Sequence, residues 1–398
     1  MLLDREAEVL DKIKAEEAIS LAQKMVKIDS QNPPGNEKEL ADFMSSLLQA
    51  IGLETHEYDF KPNRPNVVSI LKSEGASKTL IFNGHLDTVP FGNLSDWSIP
   101  PLSGLIKDGK LFGRGSTDMK SSIAAFVCAL KTILEDKRDV SGGVLIALTS
   151  DEEDSCRGAE DILNRGFRGT AAIVGEPTSL QINIAHKGFA RFNLTTYGRP
   201  AHTSEPERGV NAIFKMSKAL TKLEEISREY QKSGRLHPIL GTPTLSVGKI
   251  RGGVKDNIVP DACEITIDRR LLPGETPSDV EKELNRRLAE ISLEDPSVKF
   301  RLSLYNAQPP SETSADETIV RLAEGAVHDV VGDTPKIGGM VATTEMSHFV
   351  RAGIPTIILG CGDIRMAHVV DENVPVQQIV DLTKIYSLIV LRYLQRER

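Results

Sequence analysis

Four short apolar runs in this chain each lead into histidine or acidic residues, and that repetition constrains the fold more than any other feature. Thr79-Leu-Ile-Phe-Asn-Gly84 runs into His85-Leu-Asp87, and Val144-Leu-Ile-Ala-Leu-Thr-Ser150 into Asp151-Glu152-Glu153. Ala171-Ala-Ile-Val-Gly175 runs into Glu176, and Pro355-Thr-Ile-Ile-Leu-Gly360 leads through a loop to His368. These runs alternate with helical patterns such as Ser121–Glu135, the signature of an α/β layer. The predicted fold class is α/β: a mixed, largely parallel sheet with helices on both faces. In such open sheets, ligand and reactive groups gather just beyond the carboxyl ends of the strands. Asp118 joins them from Gly113-Arg-Gly-Ser-Thr-Asp118, immediately before the Ser121–Glu135 helix.

The pattern changes near Lys187. Ala190–Tyr197, Thr244–Ile250 and Ala262–Arg270 alternate apolar and polar residues, whereas Val210–Tyr230 and Pro277–Ser292 have helical spacing, and Val298–Leu304 is a further strand. The order β-α-β-β-α-β predicts a small α+β, ferredoxin-like sandwich with its helices on one face. At 398 residues the chain exceeds one ordinary core of roughly 150 residues. We therefore expect an α/β domain over 1–188 and 307–398, interrupted by an inserted domain over 189–306. At the start, residues 4–28 read as one helical segment, closed by Asn32-Pro33-Pro34-Gly35; a second helix is expected over Glu37–Ile51.

Carboxylates gathered at one rim repel one another, and divalent cations remove that conflict. Two histidines with three carboxylates form a mixed nitrogen and oxygen set suited to zinc, although cobalt or manganese accept the same ligands. Glu152 and Glu153 are adjacent, so both cannot easily aim at one ion. One is expected to ligate while the other works as a general base. Asp87, two residues beyond His85, is placed to accept the second imidazole N–H.

At these residues the chain resembles the family of acetylornithine deacetylase, succinyl-diaminopimelate desuccinylase, aminoacylase and glutamate carboxypeptidase, metallopeptidase family M20. The matching stretches are His85-Leu-Asp87-Thr-Val-Pro90, Gly113-Arg-Gly-Ser-Thr-Asp118-Met-Lys120, Asp151-Glu152-Glu153, Gly175-Glu176-Pro-Thr178, and Ala367-His368 followed by Asp371-Glu372. The resemblance implies a di-zinc exopeptidase-like fold and two divalent metal ions bridged by Asp118. His85 and Glu176 would complete one ion's shell, and Glu153 and His368 the other's. It further implies that Glu152 is the base, that Asp87 orients His85, and that the Asp118-Met119 peptide is cis. The inserted domain resembles the family's lid or dimerisation domain, which implies a homodimer. Its Gly198-Arg-Pro-Ala-His202-Thr-Ser204 matches a motif whose histidine reaches a partner's site, and Asn257 and Arg270 match a pair that binds substrate oxygens. Arg269 competes with Arg270 for that register.

The resemblance implies hydrolysis of an N-acyl amino acid, most like N-acetylornithine, with a dipeptidase or carboxypeptidase as the alternative. The Ser-, Gly- and Thr-rich pocket motif of the desuccinylases does not follow Gly338-Gly339. A metal-stabilised binding protein without catalysis has no reason to keep Glu152 beside Glu153. The net charge of −8 and the absence of a Lys/Arg block argue against nucleic acid. No apolar run reaches the ~18 residues that span a bilayer, and the first residues lack the pattern of a signal peptide. Four scattered cysteines without a CxxC pair fit a reduced, cytoplasmic setting. His186 reads as structural, His348 as either packing or pocket, and His56, His237 and His328 as surface residues. Gly113 and Gly115 share their spacing with a dinucleotide loop, but Asp118 stands where a third glycine belongs.

Overall fold

The computed structural model describes residues 2–72, 77–136, 141–232 and 234–395. The chain forms two compact units, one of Met1–Ile184, Thr313–Gly338 and Thr344–Arg398, the other of Ala185–Glu312 and Gly339–Thr343.

In the first unit the four apolar runs are neighbouring parallel strands, in the spatial order Gly143–Thr149, Thr79–His85, Ala171–Val174 and Thr356–Ile358. Their side chains are almost wholly buried, as strands covered on both faces must be. The register aligns the carboxyl ends: His85 lies opposite Thr149, and Asn83 opposite Val174. Two residues further along each chain, His85 and Glu176 are therefore level with each other. Antiparallel strands flank this core. Arg64–Leu71 pairs with Gly143–Thr149, Glu54–Lys61 pairs with Arg64–Leu71, and Ile182–His186 joins the far side through Asn183 and Ile358. The sheet is mixed and largely parallel, as the sequence pattern predicts.

Helices cover both faces. On one, the Phe82 ring stacks on Phe126 of the helix Ser121–Glu135 at 4.1 Å, and Tyr386 of the helix Val376–Tyr393 meets both rings edge-on at 5.4 Å. Asn83 follows Phe82 and so points to the other face. There its Nδ2 donates to Glu345 at 2.9 Å, just before the helix Met346–Arg351.

One expected element differs, and three others were not assigned from sequence. The helix expected over 4–28 is two, Asp4–Asp11 and Ala15–Val26. The intervening turn lets Glu6 take a paired contact from Arg392, at 2.8 and 3.0 Å. Glu54–Lys61 is a strand despite a charged sequence in which no residue is buried, because backbone pairing with Arg64–Leu71 carries it. The helix Val376–Tyr393 and the short helix Gly158–Asn164 are further elements of this unit.

The second unit is built on an antiparallel sheet in the order Thr244–Gly252, Ala262–Leu271, Gly188–Tyr197 and Lys299–Gln308. Alternate residues Ala190, Phe192 and Leu194, and Cys263, Ile265 and Ile267, are buried on one face. Met216, Leu223 and Ile226 of the helix Ala212–Lys232 share their core with Leu284 and Leu288 of Pro277–Glu294. The order of these elements is β-α-β-β-α-β.

Candidate metal and catalytic site

The level carboxyl ends of the parallel strands bring five side chains together. Ligand atoms of His85, Asp118 and Glu176 lie within 4.8 Å of one another, as do those of Asp118, Glu153 and His368. Asp118 belongs to both groups. Its Oδ1 is 2.9 Å from His85 Nε2, and its Oδ2 is 3.2 Å from His368 Nε2. Glu176 Oε1 lies 3.8 Å from His85 Nε2, and Glu153 Oε2 lies 3.0 Å from His368 Nε2. His85 is buried, whereas the His368 side chain keeps about half its surface open to solvent. The Asp118-Met119 peptide is cis.

The electrostatics of the cluster show the conflict that a cation would relieve. Burial raises Glu176, which the neighbouring Asp118 charge raises further against the pull of His85. Burial also raises Glu153, against its hydrogen bond from His368. Asp118 is the exception: burial opposes its charge, but the imidazoles of His368 and His85 hold it far below the usual carboxylate range. Asp118 and Glu153 in turn push His368 up to about 11. Carboxylates and imidazoles converging in a desolvated pocket are the donor set of a transition-metal site.

Glu152 stands apart from both triads. Burial pushes its carboxyl well above the ordinary range, and Glu153, Glu345 and Asp118 add to this against His85. The Cys156 thiol donates to Glu152 Oε1 at 3.5 Å. Cys156 is held in turn by His348, whose Nε2 donates to its carbonyl at 2.5 Å, so His348 braces the loop beside Glu152.

Asp87 corrects the sequence reading in part. It does hold His85, but through its backbone carbonyl, 2.9 Å from Nδ1; its carboxylate oxygen is 3.8 Å away. That bond makes Nδ1 the protonated nitrogen and leaves Nε2 free as a ligand. The strand ends at His85, so the chain turns and the alternation of an extended segment no longer applies. The Asp87 carboxylate instead accepts the backbone N–H groups of Glu152 and Glu153, at 3.2 and 3.1 Å, and the side-chain amide of Asn32 at 2.8 Å.

Other buried acids hold the site from behind. Glu372 accepts the backbone N–H groups of Thr117 and Asp118 at 2.9 and 3.1 Å and pairs with Arg114 at 2.6 Å. Glu345 accepts from Asn83, Thr149 and the Ala159 backbone, which fixes the strand ends and the helix Gly158–Asn164. Arg64 bridges Glu37 and Asp151, donating to Asp151 at 2.7 Å, and Lys61 reaches Asp151 at 2.9 Å. The pairing of acidic motif residues with Arg64 or Arg114 leaves no periodic trace in sequence.

His202, Asn257 and Arg270 lie in the second unit. His202 is exposed, with Nδ1 at 2.7 Å from the Ser204 hydroxyl, and it bridges Ile258, next to Asn257. Arg269 and Arg270 differ in burial. Arg269 is fully buried, stacks on Tyr230 at 4.3 Å and donates to Glu275 at 2.6 Å. Arg270 keeps about a third of its side chain exposed and pairs with Asp268 at 3.0 Å.

A cluster of this composition, at the carboxyl ends of parallel strands, defines a metal-dependent hydrolase site. Residues 81–392 match the model of peptidase family M20/M25/M40, and the chain belongs to that family. It is 33% identical to the acetylornithine deacetylase of Proteus mirabilis (strain HI4320), over 86% of this chain and 87% of that one. It is 30% identical to the succinyl-diaminopimelate desuccinylase of Paracoccus denitrificans (strain Pd 1222), over 88% and 92%. Its fold superposes on the M20 family metallo-carboxypeptidase Sso-CP2 from Sulfolobus solfataricus with a TM-score of 0.81, at 21% identity, covering 95% of this chain and 99% of that chain. Family and donor set together point to divalent metal ions as the cofactor.

Proposed function

We infer that the chain hydrolyses the amide of an N-acyl amino acid, with N-acetylornithine as the first substrate to test. Its similarity to the Proteus deacetylase supports the acetyl group, and the Paracoccus relative keeps N-succinyl substrates in the panel. Dipeptides form the second panel, because the family includes peptidases.

The observation that carries the reading is Glu152: a half-buried carboxylate next to Glu153 and beside the ligand triads, belonging to neither. Two divalent cations, zinc first, would be held by His85, Asp118 and Glu176 and by Asp118, Glu153 and His368; when bound they supply Lewis acidity to the amide carbonyl and the attacking water. Glu152 takes the proton of that water and returns it to the departing nitrogen. His85 is kept in its ligating tautomer by the Asp87 carbonyl.

The second unit supplies substrate contacts in this reading. Arg270 grips the substrate carboxylate, Asn257 a neighbouring oxygen, and the exposed His202 of a second copy stabilises the oxyanion. This makes the working enzyme a homodimer. Among the described residues no helix is long and apolar enough to cross a membrane, and we place the enzyme in the cytoplasm on the strength of its unpaired cysteines.

Glu152→Gln tests the base. Turnover of the best substrate in a panel of N-acetyl, N-succinyl and N-formyl amino acids and dipeptides should fall by at least about 10²–10⁴-fold, with metal content unchanged. Activity within tenfold of the parent would remove Glu152 from this role.

A further inference from the structure

Asn32 lies far from the metal-binding motifs in sequence and belongs to none of them, yet its side chain ends on the residue that shapes the catalytic turn. It is buried, and its Nδ2 donates to Asp87 Oδ2 at 2.8 Å. Asp87 is fully buried too. Among the described residues, the hydrogen-bond donors to its carboxylate are Asn32 and the backbone amides of Glu152 and Glu153. Each amide meets a different oxygen: Glu152 donates to Oδ1 and Glu153 to Oδ2.

We propose that Asn32 is a positioning residue for the reaction, acting through Asp87 to fix the turn that aims Glu152 and Glu153 at their separate tasks. The proposal rests on the reading of Glu152 as base and Glu153 as ligand given above. Adjacent side chains diverge from one backbone, so a rotation of the peptide between them redirects both at once. The turn is tight, with Asp151 at a positive φ of 74° and the Ser155 and Cys156 amides both folded back onto its carbonyl. A carboxylate that accepts two successive amides locks that peptide orientation, and charge-assisted bonds of this kind are stronger than neutral ones.

Asn32 is well placed to hold Asp87. Its backbone N–H donates to the Thr88 carbonyl at 2.8 Å, and Thr88 N–H returns a bond to Ser30 at 3.0 Å. The segment 30–32 is thereby clipped alongside the residues that follow His85. The side-chain amide then occupies the lone pair of Oδ2 left over by Glu153, which stops the carboxylate from swinging off the turn. Removing Nδ2 leaves one lone pair of a fully buried carboxylate unsatisfied while Glu153 still holds the same oxygen, which favours rearrangement of the relay.

The test is a double-mutant cycle of Asn32→Leu and Asp87→Asn, with kcat and KM measured at saturating metal and Co²⁺ affinity measured by chelator competition. Supporting groups around metal ligands are worth about 10–100-fold in affinity or activity. Each single variant should lose about that much in kcat, with KM within about threefold, and should weaken one Co²⁺ site by about 10-fold or more. Because both act through one turn, the double variant should lose little more than Asp87→Asn alone. Gln31→Met removes the neighbouring side-chain bonds to the Phe91 amide and the Asp29 carboxylate, outside the relay, and should leave both readouts within threefold. If Asn32→Leu does not fold, Asn32→Ser takes its place, since its hydroxyl is too short to reach Asp87. Independent, multiplicative losses, or an Asn32 variant with parental kcat and Co²⁺ affinity, overturn the relay. The cobalt arm needs no turnover, so an active Glu152→Gln enzyme sinks the base assignment while the relay is still read by metal affinity.

Discussion

Replacing Arg64 with methionine removes the side chain that hydrogen-bonds to both Glu37 and Asp151, and the structure gives the size of the effect. Both carboxylates are fully buried, and Arg64 donates to each. Breaking a buried pair from one side costs about 3–5 kcal/mol, because an uncompensated charge stays behind. Asp151 retains Lys61 and Ser155, whereas for Glu37 the hydrogen bond from Arg64 is the chief force against burial, so most of the loss falls on Glu37. For a unit of this size, about 2 °C per kcal/mol applies, which predicts a fall in Tm of roughly 6–10 °C.

The pH dependence gives a second handle. Burial already raises Glu37 above its ordinary value, with Arg64 opposing the shift, and losing Arg64 raises it further. An acid whose folded pKa is raised destabilises the fold where it is ionised in the unfolded chain, and the penalty disappears once both states are protonated. The deficit of Arg64→Met should therefore be largest at pH 7 and shrink steadily towards pH 5. Urea unfolding of parent and variant across that range measures it. A deficit under about 1 kcal/mol, or one that grows on acidification, refutes the argument. Because Asp151 begins the turn that carries Glu152, kcat should fall as well.

Two further predictions concern the metal centre. Asp118 and Glu153 hold His368 up to about 11, so a cation that takes this ligand must displace a proton; calorimetric zinc titrations in buffers of different ionisation enthalpy should show about one or more protons released per chain, and none released refutes it. A Cβ on Gly360 would lie 2.3 Å from the Gly175 carbonyl and 2.4 Å from that of Glu176. Gly360→Ala should thus displace the Glu176 segment, lowering stability by about 1–3 kcal/mol and weakening the metal site that includes His85, as elemental analysis after dialysis would show.

The parallel strands were legible because burial on both faces writes itself as uninterrupted apolar runs, and Ala171–Val174 and Ser121–Glu135 fall where the pattern puts them. Elements stabilised from outside were not. Glu54–Lys61 has the composition of a surface loop, and only its partner strand makes it one. Periodicity also ran straight through residues 12–14, where the N-terminal helix breaks so that Glu6 and Arg392 can meet.

At the site, residue type and order along the chain disclosed which side chains converge, since His85, Asp118, Glu153, Glu176 and His368 do so in two overlapping groups. What sequence could not disclose is which atom of a residue makes the contact. Asp87 illustrates the limit: two positions past His85, its carboxylate looked like the natural partner of the imidazole, yet the carbonyl of the same residue takes that bond. The difference arises because the strand stops at His85, and a side chain on a turn no longer obeys the two-residue alternation of a strand. Freed from the imidazole, the carboxylate can serve the next strand end, where Glu152 and Glu153 need their backbone fixed. One residue thus couples two strand ends that are 65 positions apart in the hydrogen bond from Glu152. A conserving substitution that keeps its backbone but alters its carboxylate should therefore disturb the Glu152–Glu153 turn while leaving the tautomer of His85 intact.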